Sequence, residues 1–414
     1  MRGVAGQWLR DILLAMFQRP ATTRAEILRA TGLNPASASH ALQHLLRCGA
    51  VLKIGALEPN GGRSPDLLRL NPDAAYFVAV DLESVPPRVA LCSLGGEIRY
   101  RWPIHASQPG NLTVGDILEG IRAVVERCDP WQAQRVIAAG IAVPGIIDAA
   151  GRITAVNLGW RNLPVIEPLQ QAGMPVFLDV DSRISVVAER TFGAARGCEN
   201  FVYLEAGRGV GIGVFADGRH VGGRDGMAGE FGHMTIDPRA QDPCRCGKRG
   251  CLDAIASAPN IVRQYCEAAR LADHRIATVG IQDVLDAARK GDAEALRVIG
   301  RAGMALGLGL SYLVHLFNPE LIVVGGDLAE GMDLLRPHLQ RQLETHALPE
   351  MAHGVRIVTS ELGADMRLRG AAGIAFQRCL SDPVLLKKLC APGAIRTGRL
   401  RSSRSVRGQP AARP

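Results

Sequence analysis

Long apolar runs are missing from this chain. None of its uninterrupted apolar stretches approaches the ~20 residues that cross a bilayer, so no membrane-spanning helix and no membrane partner are expected. A secretory signal core is missing too, because Arg10 and Asp11 interrupt the apolar pattern of MRGVAGQWLRDILLAMFQRP. The expected location is cytoplasmic. The body has no long low-complexity tract, and 47% hydrophobic with 21% charged residues is a globular composition. Paired cysteines are also scarce. Cys48, Cys92, Cys128, Cys198, Cys266, Cys379 and Cys390 stand singly, which fits reduced thiols better than a disulfide framework. A length of 414 residues predicts two or three domains.

What is present is uneven in charge. Residues 1–72 carry nine Arg and Lys against four Asp and Glu, residues 381–414 eight against one, and the stretch between 31 against 35. A basic head on a mildly acidic body points to nucleic-acid contact at the head, although a solvated basic surface fits the same numbers.

Trp8, Ile12, Leu13, Ala15 and Met16 recur at helical spacing, and Pro20 marks a stop. Thr23 followed by Glu26 is a capping box, and Gly32 closes that second helix. Asn34 and Pro35 open a third, with Ala38, Ala41, Leu42, Leu45 and Leu46 predicted on its buried face. Two short helices around a glycine turn predict a helix-turn-helix, with a plain helical hairpin as the alternative. The reading helix leaves Ser37, Ser39, His40, Gln43 and His44 to solvent or to DNA, where they can bond base edges or phosphates. GAVLKIGALEPNGGRSPDLLRLNP then predicts strand, glycine-rich tip and strand: a wing that can slide Arg63 into a narrow minor groove. Asn71, Pro72 and Asp73 mark the joint, giving a winged helix-turn-helix domain over 1–72.

From 73 to 380 strands and helices alternate, as in YFVAVDL, RVIAAGIAVPGIID and PELIVVGGDLAEG, so the class is α/β. Gly207, Gly209, Gly211 and Gly213 form one glycine-rich stretch, and Gly325 with Gly326 another. Either can cradle phosphate or be a ligand-free turn. A sharper signal lies in GHMTIDPRAQDPCRCGKRGCLD, residues 232–253. His233, Cys244, Cys246 and Cys251 form a Cys3His set, which suits tetrahedral zinc. Four protein ligands leave no open position, so the zinc is expected to be structural. The alternative is a group of buried free thiols.

AGEFGH with CRCGKRGCLD, together with IAVPGIID, VNLGWRNLP and PELIVVGGDL, resembles the ROK family from about residue 8 to 380. That family comprises sugar kinases with a two-lobed actin-like ATPase fold and winged-helix repressors that respond to sugars such as xylose or N-acetylglucosamine. The resemblance implies a sensor body over 73–380 and a sugar site. In that site Asn157, Glu230 and His233 touch the sugar, and Asp181, which stands where the kinases have their general base, binds a sugar hydroxyl in the repressors. His233 would face sugar on one side and zinc on the other. Asp253, also expected to bind the ligand, stands where the family has a longer Glu, and Val180 stands where it has an Asn, so two of the expected sugar contacts are altered. The kinases' Asp-x-Gly-Gly-Thr is replaced by Asp81-Leu82-Glu83-Ser84, which removes phosphate-binding glycines and adds a negative charge.

The expectation is therefore a sugar-responsive repressor that is not an enzyme, binding a pseudo-palindromic operator as a homodimer or homotetramer. One alternative is an active ATP-dependent sugar kinase with an added DNA-binding head. Another is a regulator that has lost its sugar and answers to a protein partner. Residues 381–414, rich in Arg, Ser, Gly and Pro, have no family analogue. They are expected to form a disordered basic tail that is either solvated or in non-specific contact with DNA.

Overall fold

The computed structural model describes residues 4–17, 19, 21–57, 64–107, 111–148, 150–155, 158–224, 226–271 and 278–391. The head is built as the local sequence dictates. Helix α1 spans Val4–Phe17, α2 Arg24–Thr31 and α3 Pro35–Arg47. At the start of α2 the Thr23 hydroxyl accepts the Glu26 amide at 3.3 Å, and the Thr23 amide donates to the Glu26 carboxylate at 2.7 Å. Gly32 ends α2 at φ +65°, a left-handed conformation that costs glycine nothing. Asn34 caps α3 by accepting the Ser37 amide at 2.9 Å. Leu46, expected on the inner face of α3, is 38% exposed. Strands β1 (Thr22–Thr23), β2 (Val51–Ala56) and β3 (Asp66–Leu70) form a sheet in the order β1-β3-β2, which is the wing. The wing tip with Arg63 lies outside the described residues.

The body has two lobes with one repeated design. In the first, β4 (Tyr76–Asp81), β5 (Arg88–Ser93) and β6 (Ile98–Pro103) form an antiparallel meander. Beside β4 lie β7 (Val136–Val143) and β11 (Val176–Val180), both parallel, in the order β11-β7-β4-β5-β6. In the second, β12 (Phe201–Ala206), β13 (Val210–Ala216) and β14 (Arg219–His220) form the meander, flanked by parallel β15 (Leu321–Gly325) and β16 (Arg356–Thr359). The order β14-β13-β12-β15-β16 is the same arrangement read from the other edge. Central β4 and β7 are buried at every position and carry continuous apolar runs, whereas edge strand β6 alternates half-buried and exposed residues. A small sheet of β8 (Ile146–Ile147), β9 (Arg152–Ala155) and β10 (Trp160–Pro164) extends the first lobe.

The helix Ala293–Phe317 is long and apolar enough to cross a membrane by composition, but 67% of that window is buried in the second lobe's core. The head shares its core with the body: Leu13 and Phe17 of α1 pack in one cluster with Phe77, Ala375 and Phe376. The tail boundary is corrected by the helix Pro383–Leu389, which is ordered and joins this cluster through Leu385, Leu386 and Leu389. Asp382 caps it, accepting the amides of Val384 at 2.8 Å and Leu385 at 3.2 Å. The arginine-rich composition of the following residues, which lie outside those described, masked this short apolar stripe.

Candidate functional site

A cleft of about 1030 Å³ opens between the lobes. At one end it is walled by the cysteine loop. His233 Nδ1 lies 3.5 Å from Cys244 Sγ, Cys246 Sγ lies 3.7 Å from Cys251 Sγ, and all four ligand atoms fall within 4.8 Å of one another. A tetrahedral ion with metal–sulfur bonds of about 2.3 Å needs sulfurs about 3.8 Å apart, so the four side chains are already at metal-binding spacing. The loop reaches this geometry through two glycines in left-handed conformations, Gly247 at φ +87° and Gly250 at φ +68°. A Cβ at Gly250 would stand 1.9 Å from the Asp237 carbonyl oxygen. The loop is also anchored from outside, since the Arg301 guanidinium of the long helix grips both Asp242 carboxylate oxygens.

The sequence-derived sugar residues sort as follows. Glu230 is exposed, and its carboxylate lies 3.9 Å from His233 Nε2, the ring edge opposite the thiols. His233 therefore presents one nitrogen to the cysteines and the other to the cleft. Asp181 heads the helix Asp181–Phe192 where β11 ends, and it lines the same cleft. Asp253 also lines the cleft; it is 3% exposed, and its carboxylate accepts the Val210 amide at 3.0 Å, which ties it to the start of β13. Asn157 lies outside the described residues. Sequence reasoning missed Arg245, which lines the cleft with its guanidinium 3.6 Å from Asp253. Its position between two of the ligand cysteines was the available signal.

The opposite end of the cleft is filled by ion pairs. Asp81 is fully buried, accepts the amides of Glu83 at 3.0 Å and Ser84 at 3.2 Å, and is bridged by Arg88 at 2.9 Å. Arg367 pairs with Glu205 at 3.0 Å, and the Tyr203 hydroxyl donates to Glu205 at 2.6 Å. Burial raises the carboxyls of Glu83 and Asp327 above the ordinary range, against the pull of Arg367 and Arg208. Gly325 and Gly326 line this end, and a Cβ at Gly325 would meet the Tyr203 hydroxyl at 2.1 Å.

Burial pushes the Asp181 carboxyl up to about 7, with Arg367 opposing and Glu83 and Glu205 adding to the rise. The folded chain thus holds this proton between about pH 4 and 7 where the unfolded chain releases it, so stability falls as pH rises through that window. Asp181→Asn is expected to raise the melting temperature at pH 8 by about 1–2 °C, the equivalent of ~1 kcal/mol, with the gain vanishing toward pH 4. Equal melting of the two proteins at pH 8 would contradict the buried-carboxyl assignment.

On the head, His40 and Gln43 are exposed on α3, as expected of DNA-reading positions. Ser39 is half-buried, and its hydroxyl donates to the Pro35 carbonyl. One expectation, the solvent exposure of Ser37, is corrected. Ser37 is 8% exposed and faces inward with Ala38 and Ala41. His44 is half-buried, and its Nε2 is enclosed without a partner among the described residues.

Residues 78–378 match the ROK family. The chain is 31% identical over 318 residues to a glucokinase of Halalkalibacterium halodurans, covering 73% of this chain and 96% of that one. It is 27% identical over 372 residues to the xylose repressor of Bacillus spizizenii, covering 89% and 94%. Among solved structures it resembles a ROK family transcriptional regulator, a homolog of the E. coli MLC protein, with a TM-score of 0.76 at 27% identity over 93% of this chain and 98% of that one. A family match across most of the body, and a relative this similar over nearly its whole length, mean that this chain belongs to the ROK family.

Proposed function

We propose that this chain is a sugar-responsive, DNA-binding transcriptional regulator, a repressor that acts as a homodimer or homotetramer on a pseudo-palindromic operator and does not phosphorylate its sugar. The observation that carries this reading is the contrast between the two ends of the cleft. The sugar end is built and pinned, with Glu230, His233 and Asp181 facing one space. The end where a kinase needs amides and hydroxyls for phosphates has its Glu83 and Ser84 amides bonded to Asp81. Glu83, Glu205 and Asp327 line that end, and carboxylates there oppose the charge of a triphosphate. The wider span of the repressor alignment, 89% of the chain against 73% for the glucokinase, supports a shared head.

His233, Cys244, Cys246 and Cys251 would hold a structural zinc, which supplies fixed geometry and no chemistry. Pinning lowers the ordering cost of sugar binding at Glu230 and His233, three residues apart on one turn. Sugar must bind the open and closed lobes with different affinity, and closure would then move the two heads out of register with half-sites about one helical turn, or a multiple of it, apart.

Gel shifts on DNA upstream of the protein's own gene, with a panel of sugars and phosphosugars, test this. A shift altered by one sugar is expected. Glu230→Ala should abolish that sugar's effect while leaving the shift itself, and a variant that still responds would move the pocket elsewhere. The kinase reading is favoured by the 31% identity to a glucokinase and by the surviving Asp181. Sugar-dependent ATP consumption in a coupled assay would establish it.

A further inference from the structure

Two helices run from the cleft to the head, and both pack against the same side chain. The helix Asp181–Phe192 begins with Asp181 in the cleft and finishes with Phe192. The helix Met366–Ser381 carries Arg367, paired with Glu205 of the second lobe, in its first turn and Phe376 further along. Phe17, the last residue of α1, is buried against both. Its ring centroid lies 5.5 Å from that of Phe192, edge-on, and 4.3 Å from that of Phe376.

These helices sit between the lobes. Through Val186 and Ala188, the helix Asp181–Phe192 packs with Phe201, Tyr203 and Val323 of the second lobe. Through Ile184 and Val187 it packs with the first lobe and the head. Phe192 borders both clusters. The two helices touch without slack: a Cβ at Gly370 would lie 2.3 Å from the Ile184 carbonyl oxygen, and one at Gly373 3.1 Å from Val187 Cγ1. Elements packed this closely shift as units and do not deform smoothly. A change in the angle between the lobes must therefore reach the Phe192 end, where Phe17 is wedged.

We propose that Phe17 is the positioning residue through which the cleft sets the placement of the DNA-reading head, with the Glu205–Arg367 pair as the sensing end of the linkage. Its regulatory meaning rests on the DNA-binding function above, but its test does not.

The test is hydrogen exchange on the full chain. Glu205→Gln weakens the pair that joins the lobes while leaving a side chain of the same shape beside Tyr203. Peptides covering Val4–Phe17 are expected to change their exchange rate by about fivefold or more, although residue 205 lies in the other lobe. In a Phe17→Leu background the same cleft change should alter the head by less than about twofold, because sites that no longer couple become additive. Phe17→Met replaces Phe17→Leu if the latter fails to fold, and Arg367→Met checks the pair from its other side. Head exchange that ignores both cleft variants while peptides around residues 203–211 respond would overturn the proposal. So would a head response that persists unchanged without Phe17. A failure to bind DNA would instead overturn the regulator reading and leave the exchange result intact.

Discussion

Cys246→Ser is expected to strip bound zinc from the purified protein and to lower its melting temperature by roughly 10 °C. The size follows from what a bound ion would do. Three cysteine sulfurs and one imidazole stand within 4.8 Å of one another, and a bound ion would tie together four side chains that are otherwise joined only by weak sulfur contacts and the loop's backbone bonds. The same loop wedges Gly250 against Asp237 and starts the helix Leu252–Ala256 directly after Cys251. Its loosening therefore exposes Leu252 and Ile255, which are part of the second lobe's core. Elemental analysis should find about one zinc per wild-type chain and far less in the variant. Full zinc content with unaltered melting would remove the metal assignment and leave a cluster of free thiols.

The second large effect is on DNA. Six to ten phosphate contacts from two heads would lower affinity about 10³–10⁵-fold between 50 and 200 mM salt. Gln43→Ala, at an exposed position on α3, should cost about 10- to 100-fold on operator DNA and almost nothing on random DNA, since an amide that reads a base edge is worth ~1–3 kcal/mol of discrimination. Ser37→Ala should leave operator affinity unchanged, because that side chain faces the head's interior. Binding that is insensitive to salt would contradict the phosphate contacts, and equal losses on both DNAs for Gln43→Ala would show that this side chain does not read sequence.

Local chemistry was legible wherever one residue's neighbours in sequence are also its partners in space. The Thr23–Glu26 box, the Asn34 cap and the glycine at position 32 are short-range bonds, and each forms as its sequence prescribes. The Cys3His set was legible for the same reason, since three of its ligands lie within one tight loop and the fourth eleven residues before it. The α/β class followed from period and run length, and the family followed from motifs that are themselves local.

What needed the tertiary structure involved partners far apart in sequence. Asp253 is tied to the start of β13 because Val210, forty-three residues away, supplies an amide that its buried carboxylate accepts. Ser37 turned inward because α3 packs against α1 as well as α2, which widens its buried face beyond the apolar stripe. The pairing of Glu205 with Arg367 brings together charges that periodicity cannot relate, and the seat of Phe17 joins the chain's two ends. Sequence by itself determined the head, the Cys3His loop and the family, because those depend on residue type and spacing. Folding alone decided which carboxylates face the cleft and how the head is held, because burial and long-range charge are properties of the assembled core.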